Sequence, residues 1–181
     1  MEEIATFEYG YTISASEEGE FRFIRVTDID EYGNISEKDK KYANLSSETD
    51  KRKYLLNQED VIVARIGSVG ETGIFASQEK SIFASYLIRI NLNKDIILPR
   101  YYWYFTKTEE YWKQVEQLTK GTVQPQFNAN SLKDIKVPIP RLEEQRKIIQ
   151  EKEGEMMMIY YQRQTINLLE KKKVKYLKSL W

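Results

Sequence analysis

The end of the chain sets the strongest constraint on how the rest can fold. Residues 141–181 hold no proline, a single glycine (Gly154) and few β-branched residues, so nothing in them strongly interrupts a helix. At about 1.5 Å per residue such a helix is a rod of roughly 60 Å. The ~140 residues before it make a body only about 35–40 Å across. A rod that outruns its own domain must meet another surface over part of its length. At about 100° per residue, one face collects Leu142, Ile148, Ile149, Met156, Ile159, Tyr160, Ile166, Val174, Leu177 and Trp181. Gln145, Lys152, Arg163, Asn167 and Glu170 fall on the same stripe. Polar residues there suit a coiled-coil seam, where they fix register and partner number. The plainer alternative is a helix packed only on its own domain.

Composition matters here mainly through its distribution. The 181 residues carry 28 basic and 28 acidic side chains, so net charge does not announce nucleic acid. The balance is uneven along the chain: 10 basic against 6 acidic residues from 141 onward, 10 against 8 in 60–140, and 8 against 14 in 1–59. A DNA surface would therefore draw on the middle and end of the chain. Cysteine is absent, which excludes disulfides, a thiolate nucleophile and a thiolate zinc site. Histidine is absent too, removing the commonest general base and metal ligand. No catalytic residue, metal or cofactor is expected. With no long apolar run, the expectation is a cytoplasmic protein without a membrane partner.

Residues 21–29 alternate apolar and polar side chains and read as a strand entering a turn at Glu31-Tyr32-Gly33-Asn34. Residues 36–59 are highly charged and read as a solvated helix or loop face. Residues 60–66 form a buried strand by their β-branched content, and Ile74-Phe75-Ala76 form a second. Between them Gly67, Gly70 and Gly73 mark a tight connection that matches no phosphate-loop spacing. Residues 81–91 read as one further strand. Pro99 opens a helix with an aromatic stripe (Tyr101, Tyr104, Phe105, Tyr111, Trp112) that runs to Lys120-Gly121. The stripe reads as core rather than a base-stacking platform. Next, Gln124, Gln126 and Asn128 flank Pro125 in a stiff loop. Side-chain amides there suit base edges, and suit ordinary turn hydrogen bonding equally well. Ser131-Leu132-Lys133-Asp134 has capping-box spacing, and residues 135–140 form an extended edge segment leading to the long helix.

Four of these segments together resemble the specificity (S) subunit of type I restriction–modification systems, the HsdS family. They are Phe23-Ile24-Arg25-Val26-Thr27-Asp28-Ile29, residues 60–70, Gly121-Thr122-Val123-Gln124-Pro125-Gln126-Phe127-Asn128, and residues 135–145 running into the helix. Their order is similar to one target-recognition domain followed by one spacer helix. The resemblance implies an α+β fold: a mixed-strand globular target-recognition domain over residues 1–140, then a long C-terminal α-helix over 141–181 forming an antiparallel coiled coil in a dimer. It implies a non-catalytic, sequence-specific DNA-binding subunit. Family members usually carry two such domains. This chain is thus expected to be either a half-subunit that homodimerises to read a gapped palindrome or one half of a longer chain. The implied partners are double-stranded DNA, a second copy, and the methyltransferase (M) and restriction (R) subunits, which would carry the chemistry.

Matching family segments places the DNA-facing candidates at Arg25, Thr27 and Tyr32; Arg65 and Ser68; Lys80, Ser81, Ser85 and Tyr86; and Lys120, Thr122, Gln124, Gln126 and Asn128. Arg65 has an alternative as an ordinary ion-pair partner of Glu71 or Asp60. The helix-pairing candidates are Ile149, Met156, Ile159, Tyr160, Arg163, Ile166, Asn167 and Leu177. The competing reading is a coiled-coil scaffold whose globular domain no longer reads DNA, favoured by the acidic N-terminal third.

Overall fold

A computed structural model describes residues 1–120 and 127–178, with side chains of the final helix as far as Tyr176. Two sheets form the centre of the head. The larger is antiparallel throughout, with β1 (Ala5–Tyr9), β7 (Leu87–Leu92), β4 (Val61–Ala64) and β5 (Thr72–Ile74) in the order β1-β7-β4-β5. The smaller has β3 (Tyr42–Ala43), β2 (Phe21–Ile24) and β6 (Ser81–Phe83) in the order β3-β2-β6, with β2 and β6 parallel. Helices α1 (Glu48–Tyr54), α2 (Pro99–Phe105), α3 (Glu109–Thr119), α4 (Ala129–Asp134) and α5 (Leu142–Lys178) complete the chain. The α+β class and the long terminal helix expected from the sequence are both present.

Strand alternation divides the core into layers. In β4, Val61 and Val63 join Ile88 and Ile90 of β7 under Tyr102, Phe105, Tyr111 and Leu132 of the helices. Ile62 and Ala64 turn the other way and meet Ile24, Phe75 and Phe83 beside the smaller sheet. The larger sheet is thus buried on both faces, which explains why β4 reads as an unbroken apolar run.

Several elements are shorter than their sequence patterns suggest. The strand expected over 21–29 stops at Ile24 and gives way to a 3-10 turn, Val26–Asp28. Asp28 ends it by accepting from the Arg25 backbone N–H at 2.7 Å. The single strand expected over 81–91 is two strands in different sheets, because the chain crosses between the layers at Ala84–Tyr86. The aromatic helix expected from Pro99 to Lys120 is broken after Phe105, where Thr108 starts a new helix by accepting from the Tyr111 N–H. The aromatic stripe itself lies in the core, as expected. The second strand, expected at Ile74-Phe75-Ala76, lies instead at Thr72–Ile74, and residues 135–140 lie outside both sheets. The segment before Tyr9, whose pattern is too mixed to declare itself, supplies edge strand β1.

The break between α2 and α3 also positions Lys107. Its ammonium donates to the Thr72 carbonyl at 2.8 Å and to Thr72 Oγ1 at 3.1 Å, and lies 5.3 Å from the Trp103 ring. Burial holds its pKa down to about 8, against an upward pull from Glu71 and Asp30. The folded state therefore disfavours the charged amine, and between about pH 8 and the ordinary lysine value the unfolded chain binds more protons. Stability should rise with pH across that window. The gain is expected to be no more than about 1 kcal/mol, because much of the side chain remains in solvent. Comparing thermal unfolding of wild type and Lys107→Met from pH 8 to 9.5 checks this: the difference between them should shift with pH, and a constant difference would refute the assignment.

Candidate nucleic-acid interface

Strand direction brings five segments to one end of the head. β4 ends at Ala64 opposite the start of β7 at Leu87, and β1 ends at Tyr9 opposite Ile88. β2 and β6 run parallel toward the same end, where Ala84 N–H bonds to Ile24 C=O. Segments 9–13, 25–27, 65–68 and 84–86 therefore converge, joined by 127–129 through the Phe127 N–H bond to Arg65 C=O.

Arg65 sits at the centre of this end. Its N–H donates to the Tyr86 carbonyl at 2.9 Å and its carbonyl accepts from Phe127 at 3.0 Å, so the backbone is pinned from two sides. The guanidinium lies 4.9 Å from the centroid of the Tyr9 ring. The Tyr9 hydroxyl in turn accepts from the Ala129 N–H, at the start of α4. The anticipated alternative partners are not engaged with Arg65, since Asp60 pairs with Arg89 and Glu71 makes no ion pair with Arg65. Among the described residues the Arg65 side chain has no hydrogen-bond or ion-pair partner, and its Nε is buried without one. A half-buried, stacked guanidinium with no carboxylate against it among the described residues can take an external acceptor, either a phosphate or the O6/N7 edge of guanine. The neighbouring surface adds exposed aromatic area from Tyr86 and Tyr9, 57% and 40% exposed. Ser68 is exposed in the β4–β5 loop beside them. That loop is shaped by Gly67 and Gly70, both at positive φ. A Cβ on Gly70 would meet Val115 Cγ1 at 2.7 Å, so the glycines here serve the turn.

The other sequence candidates divide. Thr27 and Ser85 belong to the converging end. Arg25 is nearby, but its guanidinium is clamped by Asp28 at 2.7 Å and Asp39 at 3.3 Å, and the Asp28 hydrogen bond holds its pKa up. It stabilises the 3-10 turn. Lys80 and Ser81 lie at the opposite end of β6, a strand's length away. Ser81 is fully buried, with its hydroxyl donating to the Glu79 carbonyl. A single strand over 81–91 would group them with Ser85 and Tyr86; the crossover separates them. Asn128 caps α4, its Oδ1 accepting from Asn130 and Ser131 N–H. Its amide oxygen is thus committed, which conflicts with two-point pairing to adenine. Helix α4 starts from this cap rather than from a Ser131 capping box. Lys120 is exposed at the end of α3, while Thr122, Gln124 and Gln126 lie outside the described residues. Tyr32 faces the long helix: Arg163 donates to its hydroxyl and stacks on its ring at 4.6 Å. Sequence reasoning missed Tyr9, one of 13 tyrosines, whose only signal is its place at the end of an alternating segment.

Helix α5 is anchored at its start. Gln145 is fully buried, accepting from Leu98 N–H and donating to the Ile96 and Pro140 carbonyls. This polar stripe position therefore belongs to the head rather than to an intermolecular seam. Ile148 and Ile149 pack on the main core, and Arg100 pairs with Glu153 at 3.1 Å. Every side chain described from 150 to 176 is exposed, over roughly 40 Å of helix. These include the pairing candidates Met156, Ile159, Tyr160, Arg163, Ile166 and Asn167; the Leu177 side chain is outside the described residues.

Among known proteins, the family model described as the type I restriction modification DNA specificity domain matches residues 1–176. A Haemophilus influenzae protein named as a type I restriction enzyme specificity subunit is 31% identical over 90 residues, covering 50% of this chain and 22% of its own. The fold is similar to a chain in a structure of complex assembly and conformational transition of the type I R-M system. That match has a TM-score of 0.67 and 16% identity, over 88% of this chain and 37% of that one. It is also similar to the HsdS subunit from Thermoanaerobacter tengcongensis, with TM-score 0.61 and 17% identity over 88% of this chain and 44% of that one. The type I restriction-modification S subunit from M. genitalium gives a TM-score of 0.57 and 14% identity, over 82% and 36%. The chain thus spans less than half the length of each of these relatives.

Proposed function

Because the chain belongs to the type I restriction modification DNA specificity domain family, we propose that it reads one half of a split DNA site through the end of the head centred on Arg65. The observation that carries this is the Arg65 guanidinium, held on Tyr9 with no acceptor among the described residues and flanked by the converging loops. Residues 1–140 act as the reading head, and the helix from 141 onward as the element that pairs with a second copy. A twofold dimer of this kind would read a gapped palindrome. Methylation and cleavage belong to M and R subunits that dock on the assembly, so the chain itself is a non-catalytic positioning subunit.

The exposed part of α5 supports both roles. Met156, Ile159, Ile166 and Val174 lie on one face, while Met157, Met158, Tyr161, Leu168, Leu169 and Tyr176 lie on the other, each more than half exposed in this second set. One partner helix covers a single stripe, so the second face remains for a further subunit. The same exposed rod would serve a scaffold protein; the unneutralised Arg65 favours the DNA-reading function.

Selection of bound duplexes from a random pool should return a gapped palindrome, with affinity falling steeply as salt rises. Arg65→Ala should weaken binding to the selected duplex by about 1–3 kcal/mol, roughly 5- to 150-fold, and reduce preference at one half-site position. Equal affinity of wild type for every sequence at fixed salt would remove the reading function. Unchanged affinity in Arg65→Ala would move it to another part of the head.

A further inference from the structure

The Arg65 side chain is held by more than its own backbone. Its guanidinium carbon lies 4.9 Å from the centroid of the Tyr9 ring. That ring is itself fixed, because Tyr9 closes β1 opposite Ile88 and its hydroxyl accepts from the Ala129 N–H at 3.1 Å. Of the three guanidinium nitrogens only Nε is buried without a partner, which leaves the terminal Nη1/Nη2 fork to meet a ligand. The converging segments 9–13, 25–27, 65–68, 84–86 and 127–129 contain no Asp or Glu. Their one other cation is Arg25, clamped by Asp28 and Asp39.

We infer that Arg65 reads the O6/N7 edge of a guanine in the half-site, and that Tyr9 is the positioning residue that makes this reading selective. This rests on the head binding DNA through its Arg65 end, as proposed above. Two kinds of acceptor on DNA compete for an unpaired guanidinium, the phosphate oxygens and the guanine edge. A phosphate attracts a cation from any direction, and a mobile lysine serves it as a point charge. Tracking phosphates also calls for several free cations along a surface, since each neutralises one group. In these segments a single unpaired guanidinium stands among neutral hydroxyls at Thr27, Ser68, Ser85 and Tyr86.

A guanine edge makes different demands. It needs two parallel N–H donors held in one plane, and no carboxylate beside it to repel its two acceptors. Stacking on Tyr9 fixes the plane of the guanidinium, and the buried Nε restricts approach to the end-on fork. The lack of acids in the surrounding segments admits the acceptors. The stack also orders a long side chain before the base arrives, so less conformational freedom is lost on binding. Tyr9 needs no contact with the base for this role. Its ring supplies the plane, and its hydroxyl ties that ring to the start of α4.

Single-atom changes in the selected duplex, offered to the full-length chain, separate the two acceptors. 7-Deazaguanine replaces N7 by C–H and keeps base pairing, whereas inosine keeps O6 and N7 and loses only the minor-groove amine. At one guanine of the half-site 7-deazaguanine should weaken wild-type binding roughly tenfold, and inosine there by less than about threefold. Arg65→Lys should bring the discrimination between guanine and 7-deazaguanine down to about one, because the charge stays and the fork is lost. Its affinity should fall with salt as steeply as that of wild type. Tyr9→Leu should lose most of the same discrimination, and Tyr9→Phe, which keeps the ring, should retain it. Tyr9→Thr, also ringless and suited to a strand, takes the place of Tyr9→Leu if thermal unfolding shows that leucine disturbs the head. Equal weakening of both duplexes in the ringless variant, with their ratio unchanged, would overturn the positioning role. A selected half-site without guanine, or one in which wild type tolerates 7-deazaguanine everywhere, would overturn the guanine assignment and leave Arg65 to a phosphate. So would full discrimination in Arg65→Lys. A wild type that selects no sequence at all would instead remove the DNA reading on which the inference rests.

Discussion

Replacing Arg89 with Met is expected to lower the free energy of unfolding by about 3–5 kcal/mol, the scale for removing one partner of a buried charge network. Arg89 lies on β7 and is 8% exposed. It donates to Asp60 at 3.1 Å, to the Leu55 carbonyl at 2.8 Å, to the Lys53 carbonyl at 2.7 Å, and to Glu8. One guanidinium therefore ties together β1, the end of α1 and the entry to β4. Met can fill much of the same volume, so little of the loss should come from a cavity. The loss arises because Glu8 and Asp60, both mostly enclosed, are left without their cation, and two carbonyls lose a charged donor. Urea unfolding followed by tryptophan fluorescence measures it, with a midpoint shift of roughly 6–20 °C expected in the matching thermal experiment. A loss below about 1 kcal/mol would mean the network is much more hydrated than its burial indicates.

Placing Asp at Ile166 is expected to abolish self-association while leaving the head folded. Ile166 is more than half exposed in the single chain, so the substitution removes no contact from the core. In a paired rod the residue is buried twice, once in each copy. Losing about 1.5–3 kcal/mol of apolar burial per copy weakens the dimer by roughly two to four orders of magnitude. Desolvating two carboxylates in an apolar seam adds to that loss. Light scattering should show a monomer with an unchanged far-ultraviolet spectrum of the head, since Gln145 and the packing of Ile148 and Ile149 hold the helix start independently. Loss of the palindromic half-site requirement should accompany it, with single half-site binding retained. Persistence of a wild-type dimer in Ile166→Asp would show that the copies meet somewhere else.

The two substitutions separate what each region contributes. Arg89 holds together a head whose strands come from distant parts of the chain, and its loss acts within one copy. Ile166 lies on a helix whose described polar and core contacts with its own head come from its first turns, from Glu153 to Arg100, and from Arg163 to Tyr32. Its loss is expected to act between copies.

How much was legible beforehand depends on how local the cause is. The long helix follows from an uninterrupted run of helix-permitting residues, and β4 from a β-branched run; both causes lie within a few neighbouring residues. The breaks at Ala84–Tyr86 and at Thr106–Thr108 have another origin. The first exists because the chain must pass from one sheet to the next, the second because Thr106 is drawn into a buried hydrogen bond with Thr72. Neither partner is near in sequence, so periodicity alone runs straight through both breaks.

The same distinction applies to the candidate interface. That the chain is a mixed α+β head on a helical rod, without the side chains for thiol or imidazole chemistry, was determined by the sequence by itself. Which cations remain available was decided only by tertiary structure, because ion pairing depends on what folding brings within a few ångströms. Arg25 and Arg89 find carboxylates, Gln145 finds backbone, and Tyr32 finds the rod. Arg65 finds an aromatic face and, among the described residues, no acceptor, and that difference, invisible in the order of residues, is why the proposed reading surface is centred on it.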